Sequence, residues 1–240
     1  IDIMLAIDVS TSMLAEDLKP NRLEAAKDVA AEFINGRPND NIGITLFAGE
    51  TFTQCPLTVD HAVLLDMIHN IKCGLITDGT AVGMGIANAV TRLKDSKAKS
   101  KVIILLTDGT NNKGDISPMT AAEIAKSFGI RVYTIGVGTN GMAPYPYPVG
   151  NTVQYVSMPV EIDEKTLTEI AGTTDGNYFR ATSNSKLKEV YEEIDKLEKT
   201  KLNVKEYSKR DEEYHWFALA AFLCVLLEVL LRNSCLLYTS

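Results

Sequence analysis

Residues 1–12 read IDIMLAIDVSTS, an apolar run that ends in an acid followed by two hydroxyls at alternate positions, Asp8, Ser10 and Ser12. A run of this kind predicts a buried strand that carries small oxygen-bearing side chains to the rim of a sheet. In open α/β sheets ligands bind outside the carboxyl ends of the strands, where the strand order reverses. The end of this first strand is therefore the first place to look for chemistry.

Further along the chain, Val- and Ile-rich runs alternate with segments of helical period, the pattern of βαβ units around a mostly parallel sheet. Strands are predicted near 1–7, 42–48, 51–55, 101–107, 130–137 and 176–180. PNRLEAAKDVAAEFI opens a helix with Pro20 in its first turn and sets Leu23, Ala26, Ala30 and Phe33 on one face. The other helices fall near 61–70, 81–93, 119–128, 163–171 and 185–199. Only AGE joins the second and third strands, too short for a crossover, so these two form a hairpin with an antiparallel edge strand. Residues 143–159 contain four prolines and read as an irregular excursion with a short hairpin, either function-bearing or a tolerated insertion.

Composition narrows the function. The 240 residues are 45% hydrophobic and 23% charged, an ordinary globular balance. A net charge of -7 with no basic stripe argues against a nucleic-acid partner. Cys55, Cys73, Cys224 and Cys235 form no CxxC pair and suggest neither a zinc site nor a disulfide framework. His61, His69 and His215 are scattered. GVGTNG at 136–141 satisfies a dinucleotide fingerprint, but MAPYPYP follows it and cannot open the helix such a site requires.

Residues 214–232, YHWFALAAFLCVLLEVLLR, have roughly the length of a bilayer span with aromatic residues at its start, which predicts a C-terminal transmembrane helix. Residues 201–213 then form a charged tether, and 233–240 read as a foreign or truncated tail. The chain begins inside its first strand and reads as a fragment. Lys and Arg before the span outnumber those after it, but the rule weighs both flanks and leaves the sidedness open.

Two further residues, one acid and one hydroxyl, complete the first cluster. KVIILL ends in TDGT and brings Asp108 to the same kind of edge; a second TDGT at 77–80 places Thr80 at a helix start, with Thr77 as the alternative. Asp8, Ser10, Ser12, Thr80 and Asp108 are all hard oxygen donors, suited to an octahedral Mg²⁺ or Mn²⁺ that keeps some water. With neutral hydroxyls touching the ion and acids largely behind them, such a cation keeps enough charge to accept a carboxylate from outside. A phosphohydrolase with Asp8 as nucleophile is the alternative, but the second Asp such enzymes want two residues on is here Ser10.

The intact DxSxS resembles the metal-ion-dependent adhesion site of von Willebrand factor A domains, over about residues 1–200. The stretches LAIDVSTSMLAEDLKPNRLEAAK, GRPNDNIGITLFAGETFTQCPLT, DSKAKSKVIILLTDG and FGIRVYTIGVGTNGMAPYP are similar to the BatA-like, aerotolerance-operon branch. The resemblance implies a doubly wound, mostly parallel six-stranded sheet with one antiparallel edge strand, without enzymatic activity. It implies Ser10, Ser12 and Thr80 as hydroxyl ligands, with Asp8 and Asp108 binding directly or through water. It also implies a bacterial inner-membrane location, and as partners a protein offering an Asp or Glu, other aerotolerance-operon proteins and a MoxR-type AAA+ ATPase.

Overall fold

The computed structural model describes residues 1–149, 152–207 and 214–235. The chain divides into two compact units, 1–199 and 200–240.

The first unit is built on strand β1 (Asp2–Asp8), which is buried along its whole length. Its side chains alternate between two cores. Ile3, Leu5 and Ile7 pack with helices α1 (Arg22–Asn35), α2 (His61–His69) and α6 (Asn184–Tyr207). Met4 and Ala6 pack with α3 (Val82–Leu93), α4 (Pro118–Ser127) and α5 (Glu164–Thr173). Burial on both faces explains why β1 reads as a continuous apolar run rather than an alternating one.

The main sheet adds β2 (Asn41–Phe47), β3 (Thr51–Thr58), β4 (Lys101–Thr107), β5 (Ile130–Val137) and β8 (Tyr178–Ala181) in the order β3-β2-β1-β4-β5-β8. All neighbours are parallel except β2 and β3, the hairpin expected from its short connection. The order reverses between β1 and β4, which opens a crevice at their carboxyl ends.

Helix α1 starts at Arg22, later than the position of Pro20 suggested, because Asn21 is its cap and accepts a hydrogen bond from Glu24 N. Leu23, Ala26, Ala30 and Phe33 are buried together, as their spacing requires.

The Pro-rich excursion is more ordered than expected: a two-stranded sheet of β6 (Met142–Val149) and β7 (Thr152–Pro159), paired over eight positions. Pro144, Pro146 and Pro148 alternate along β6, so their missing N–H groups all lie on the edge away from β7 and the ladder loses nothing. On that outer edge the Pro144 carbonyl accepts from Glu16 N at 2.8 Å.

In the second unit, α7 (Tyr214–Cys235) is helical where the span was expected. Its side chains are described over 218–231 and are exposed. Among the described residues no helix is long and apolar enough to cross a membrane. The expected transmembrane helix is therefore not supported by the described residues. Of the expected tether and tail, 208–213 and 236–240 lie outside the described residues.

Candidate metal centre at the strand crevice

Asp8 is the last residue of β1, and in the parallel pairing Ile7 stands opposite Leu106 of β4. Asp108 therefore leaves the neighbouring strand beside it. Ser10 N donates to Asp8 Oδ1 at 2.9 Å and Thr107 Oγ1 donates to Asp8 Oδ2 at 2.6 Å. After β1 a 3₁₀ turn (Thr11–Leu14) folds the chain back over the crevice. The Ser10 and Ser12 hydroxyls come to 2.9 Å, and Ser12 Oγ donates to Asp108 Oδ1 at 2.7 Å. Four of the five expected residues thus form one hydrogen-bonded chain.

Thr80, the fifth, is buried against the backbone that follows Asp108. A Cβ at Gly109 would stand 3.3 Å from its hydroxyl. Its main chain is clasped by Asn112, whose Oδ1 accepts from Thr80 N at 2.9 Å and whose N donates to the Thr80 carbonyl at 3.0 Å. Thr77 turns away and donates to Glu50 at 3.3 Å.

The sequence reading missed Asp17, Arg22 and Asp78. Arg22, although buried, binds Asp17 through two 2.7 Å bonds, Nε to Oδ1 and Nη2 to Oδ2, while Nη1 reaches Asp108 Oδ2, also at 2.7 Å. Asp17 also takes Thr139 N at 2.8 Å. Gly138 has φ +144°, and a Cβ there would lie 2.8 Å from Arg22 Nη2, so the backbone must be bare at that point. Asp78 accepts from Thr11 N at 3.1 Å and Thr11 Oγ1 at 2.8 Å, tying the 3₁₀ turn to the Thr80 loop. One signal for Arg22 was available. A cation in the first turn of a helix opposes the helix dipole, so it needs a reason to be there.

The acids of the crevice are under-compensated. Burial, with the charge of Asp108 behind it, raises Asp8 from 3.8 to about 7 against the hydrogen bonds of Ser10 and Thr107. Burial also raises Asp108 despite Arg22 and Ser12. Asp17 goes the other way: although burial opposes it, the fork of Arg22 holds its carboxyl below the usual range. The Cys73 thiol, 3.4 Å from the Ser10 carbonyl, is pushed up to about 12 by burial and by these acids.

Two buried carboxylates with hydroxyls between them and surplus negative charge suit a hard divalent cation such as Mg²⁺ or Mn²⁺. Among the described residues no three His, Cys, Asp or Glu side chains cluster for a metal. The candidate donors are oxygens of mixed charge rather than the nitrogen and sulfur of a structural zinc site. Both oxygens of Asp8 already accept hydrogen bonds, from Ser10 N and Thr107 Oγ1.

Two other sequence features acquire positions. GVGTNG leads into β6, not into a helix. His61 Nε2 lies 3.0 Å from the Asp40 carbonyl, and His69 Nδ1 lies 2.7 Å from that of Leu65.

A doubly wound sheet with acids and hydroxyls at its switch point defines a von Willebrand A-type domain. Residues 2–193 match the von Willebrand factor type A domain family, and the chain belongs to that family. Among solved structures it is similar to BatB from Bacteroides thetaiotaomicron, with 34% identity and a TM-score of 0.72 over 83% of this chain and 99% of that one. An aerotolerance-related membrane protein from Bacteroides fragilis is similar at 34% identity and a TM-score of 0.70, covering 82% of this chain and 99% of its own. Proximal thread matrix protein 1 of the mussel byssus, whose structure has a zinc-occupied MIDAS motif, matches at 25% identity and a TM-score of 0.63 over 82% of this chain and 45% of that one. An uncharacterized protein of Borreliella burgdorferi is 29% identical over 228 residues, 94% of this chain and 67% of the relative. The chain spans 58% of the length of a UPF0353 protein from Mycolicibacterium paratuberculosis, to which it is 32% identical.

Proposed function

We propose that this chain is a protein-protein interaction module that captures a partner's Asp or Glu through a divalent metal, Mg²⁺ or Mn²⁺, held at Asp8, Ser10, Ser12, Thr80 and Asp108. The observation that carries the reading is the pair of buried carboxylates: Asp8 accepts from Ser10 N, the Ser10 hydroxyl meets that of Ser12, Ser12 donates to Asp108, and the cation Arg22 bonds Asp108 but not Asp8.

When bound, the cation supplies a positive centre with open coordination positions for an external carboxylate. The chain's own residues prepare for it. Ser10 and Ser12 present neutral oxygens, so they add no further negative charge to that of Asp8 and Asp108. Arg22 fixes Asp108 and neutralises part of its charge, and Asp78 holds the 3₁₀ turn near the Thr80 loop.

The similarity to BatB and to an aerotolerance-related membrane protein supports work in a bacterial membrane complex with other aerotolerance-operon proteins and a MoxR-type AAA+ ATPase. The exposed apolar side chains of α7 supply a surface for membrane association. Pull-down by the full-length protein tests the reading: the partner should be retained in Mg²⁺ and lost in EDTA and in Asp8→Asn. Equal retention with and without metal would overturn it.

A further inference from the structure

The β6–β7 hairpin stands beside the crevice and is fastened to the 3₁₀ region at two points. Glu16 N donates to the Pro144 carbonyl at 2.8 Å, and the Tyr155 hydroxyl donates to Glu16 Oε1 at 3.0 Å. Between the hairpin and the turn lies a cleft of about 270 Å³, with Ser12 and Arg22 on one side and Tyr145, Tyr147, Met158 and Val160 on the other. Ser12 belongs to both the cleft and the candidate metal centre, so the two are continuous.

We propose that this cleft is the second half of the partner site and takes a bulky uncharged apolar side chain next to the partner's metal-seeking Asp or Glu. The proposal rests on the metal-centred reading above and adds the chemistry of the neighbouring residue. The occupant is an extended segment of another protein.

Size, charge and rigidity point to that occupant. The volume lies below the range of pockets for drug-sized ligands and suits a single side chain. Among the described residues Arg22 is the one charged side chain lining the cleft, and its guanidinium is already taken by Asp17 and Asp108. A second acid would find no unengaged cation in this lining to pair with. A base would meet Arg22 itself. An apolar group meets Tyr145, Tyr147 and Met158, of which Tyr147 and Met158 are exposed by 57% and 48%. Prolines 144, 146 and 148 stiffen the wall before anything binds, which lowers the ordering cost of capture. β7 pairs only with β6 in this sheet, leaving its other edge without a strand partner among the described residues and open to an extended segment.

The test uses the full chain in detergent with Mg²⁺ and two fluorescent octapeptides, identical except that the residue after a single Glu is Leu in one and Ser in the other. The Leu peptide should bind about tenfold more tightly, the order expected for burying part of a leucine. In Tyr145→Ser/Met158→Ser, and separately in the exposed Tyr147→Ser, that ratio should fall toward one while the Ser peptide keeps its affinity. A ratio near one in the unaltered chain, or one that survives both variants, overturns the cleft proposal. So does Mg²⁺-dependent dimerisation that these variants abolish, since the occupant would then be a second copy. EDTA and Asp8→Asn separate the two ideas. Loss of both peptides there, with the ratio unchanged in the hairpin variants, leaves the metal reading standing and the cleft refuted. A Leu preference that persists in EDTA removes the metal reading on which the proposal rests.

Discussion

The two ends of the main sheet each bury charge, with opposite outcomes. At the amino edge Glu198 of α6 is surrounded. Arg131 Nε donates to it at 2.8 Å, Arg131 Nη2 makes a second bond, Tyr133 donates at 2.6 Å and Ser100 at 2.8 Å. Although burial opposes it, these partners hold the Glu198 carboxyl below its usual range. At the carboxyl edge, burial and Asp108 push Asp8 up to about 7. Both clusters are hydrogen-bonded, so hydrogen bonding does not separate them. What separates them is whether the charge is answered. The satisfied cluster fastens α6 to the sheet, and the unsatisfied one is the site proposed above for a cation.

The largest expected effect comes from breaking the satisfied end. Glu198→Ala leaves Arg131 partly buried without its carboxylate and should cost about 3 kcal/mol or more. For a domain of this size that is a fall in Tm on the order of 10 °C, read by thermal denaturation, with Mg²⁺ binding retained. Asp8→Asn should behave in the opposite way. The metal-free chain at about pH 8 should keep or raise its Tm, because a surplus buried charge is removed. The stabilisation by Mg²⁺, about 2.7 kcal/mol at a hundredfold excess over Kd, should vanish.

Acid and base should sharpen the contrast. Asp8 is raised from 3.8 to about 7, so the unfolded chain releases the proton first. Its contribution to stability is fully present below about pH 4 and is lost as pH rises through about 7. Glu198 is lowered from 4.5, so its contribution is present above that value and is lost as pH falls through its depressed pKa. Denaturant titrations of metal-free protein across this range should show Asp8→Asn removing the loss toward neutral pH and Glu198→Gln removing the loss in acid. The smallest effect is Thr80→Ala, which removes one neutral oxygen of several. Partner capture should weaken by roughly tenfold or less with metal binding largely kept, and Thr80→Ser should restore it.

The sheet was legible because burial leaves a one-dimensional trace. VIILL (102–106) and IMLAI (3–7) are apolar throughout since both of their faces are covered, and AGE is too short to cross over. Asp8, Ser10, Ser12 and Asp108 were legible because strand ends fix where they emerge. Arg22 and Asp78 were not, because the groups they tie down lie far off in the chain: 86 positions separate Arg22 from Asp108 and 67 separate Asp78 from Thr11, and no local period records either pairing. The hairpin at 142–159 was underestimated for a similar reason. Prolines count against a strand unless they alternate onto one unpaired edge, and that depends on the register with β7. The C-terminal run of apolar residues gave the helix α7, but the bilayer span expected of it is not supported by the described residues.

The central claim is that the carboxyl edge of the sheet has an unanswered charge that a divalent cation fills. Calorimetric titration of Mg²⁺ into the full chain, at about pH 8 in detergent, tests it most directly. The expected result is one ion bound per chain, abolished by Asp8→Asn and unchanged by Glu198→Gln. Absence of binding to the unaltered chain, or binding that survives Asp8→Asn, would contradict it.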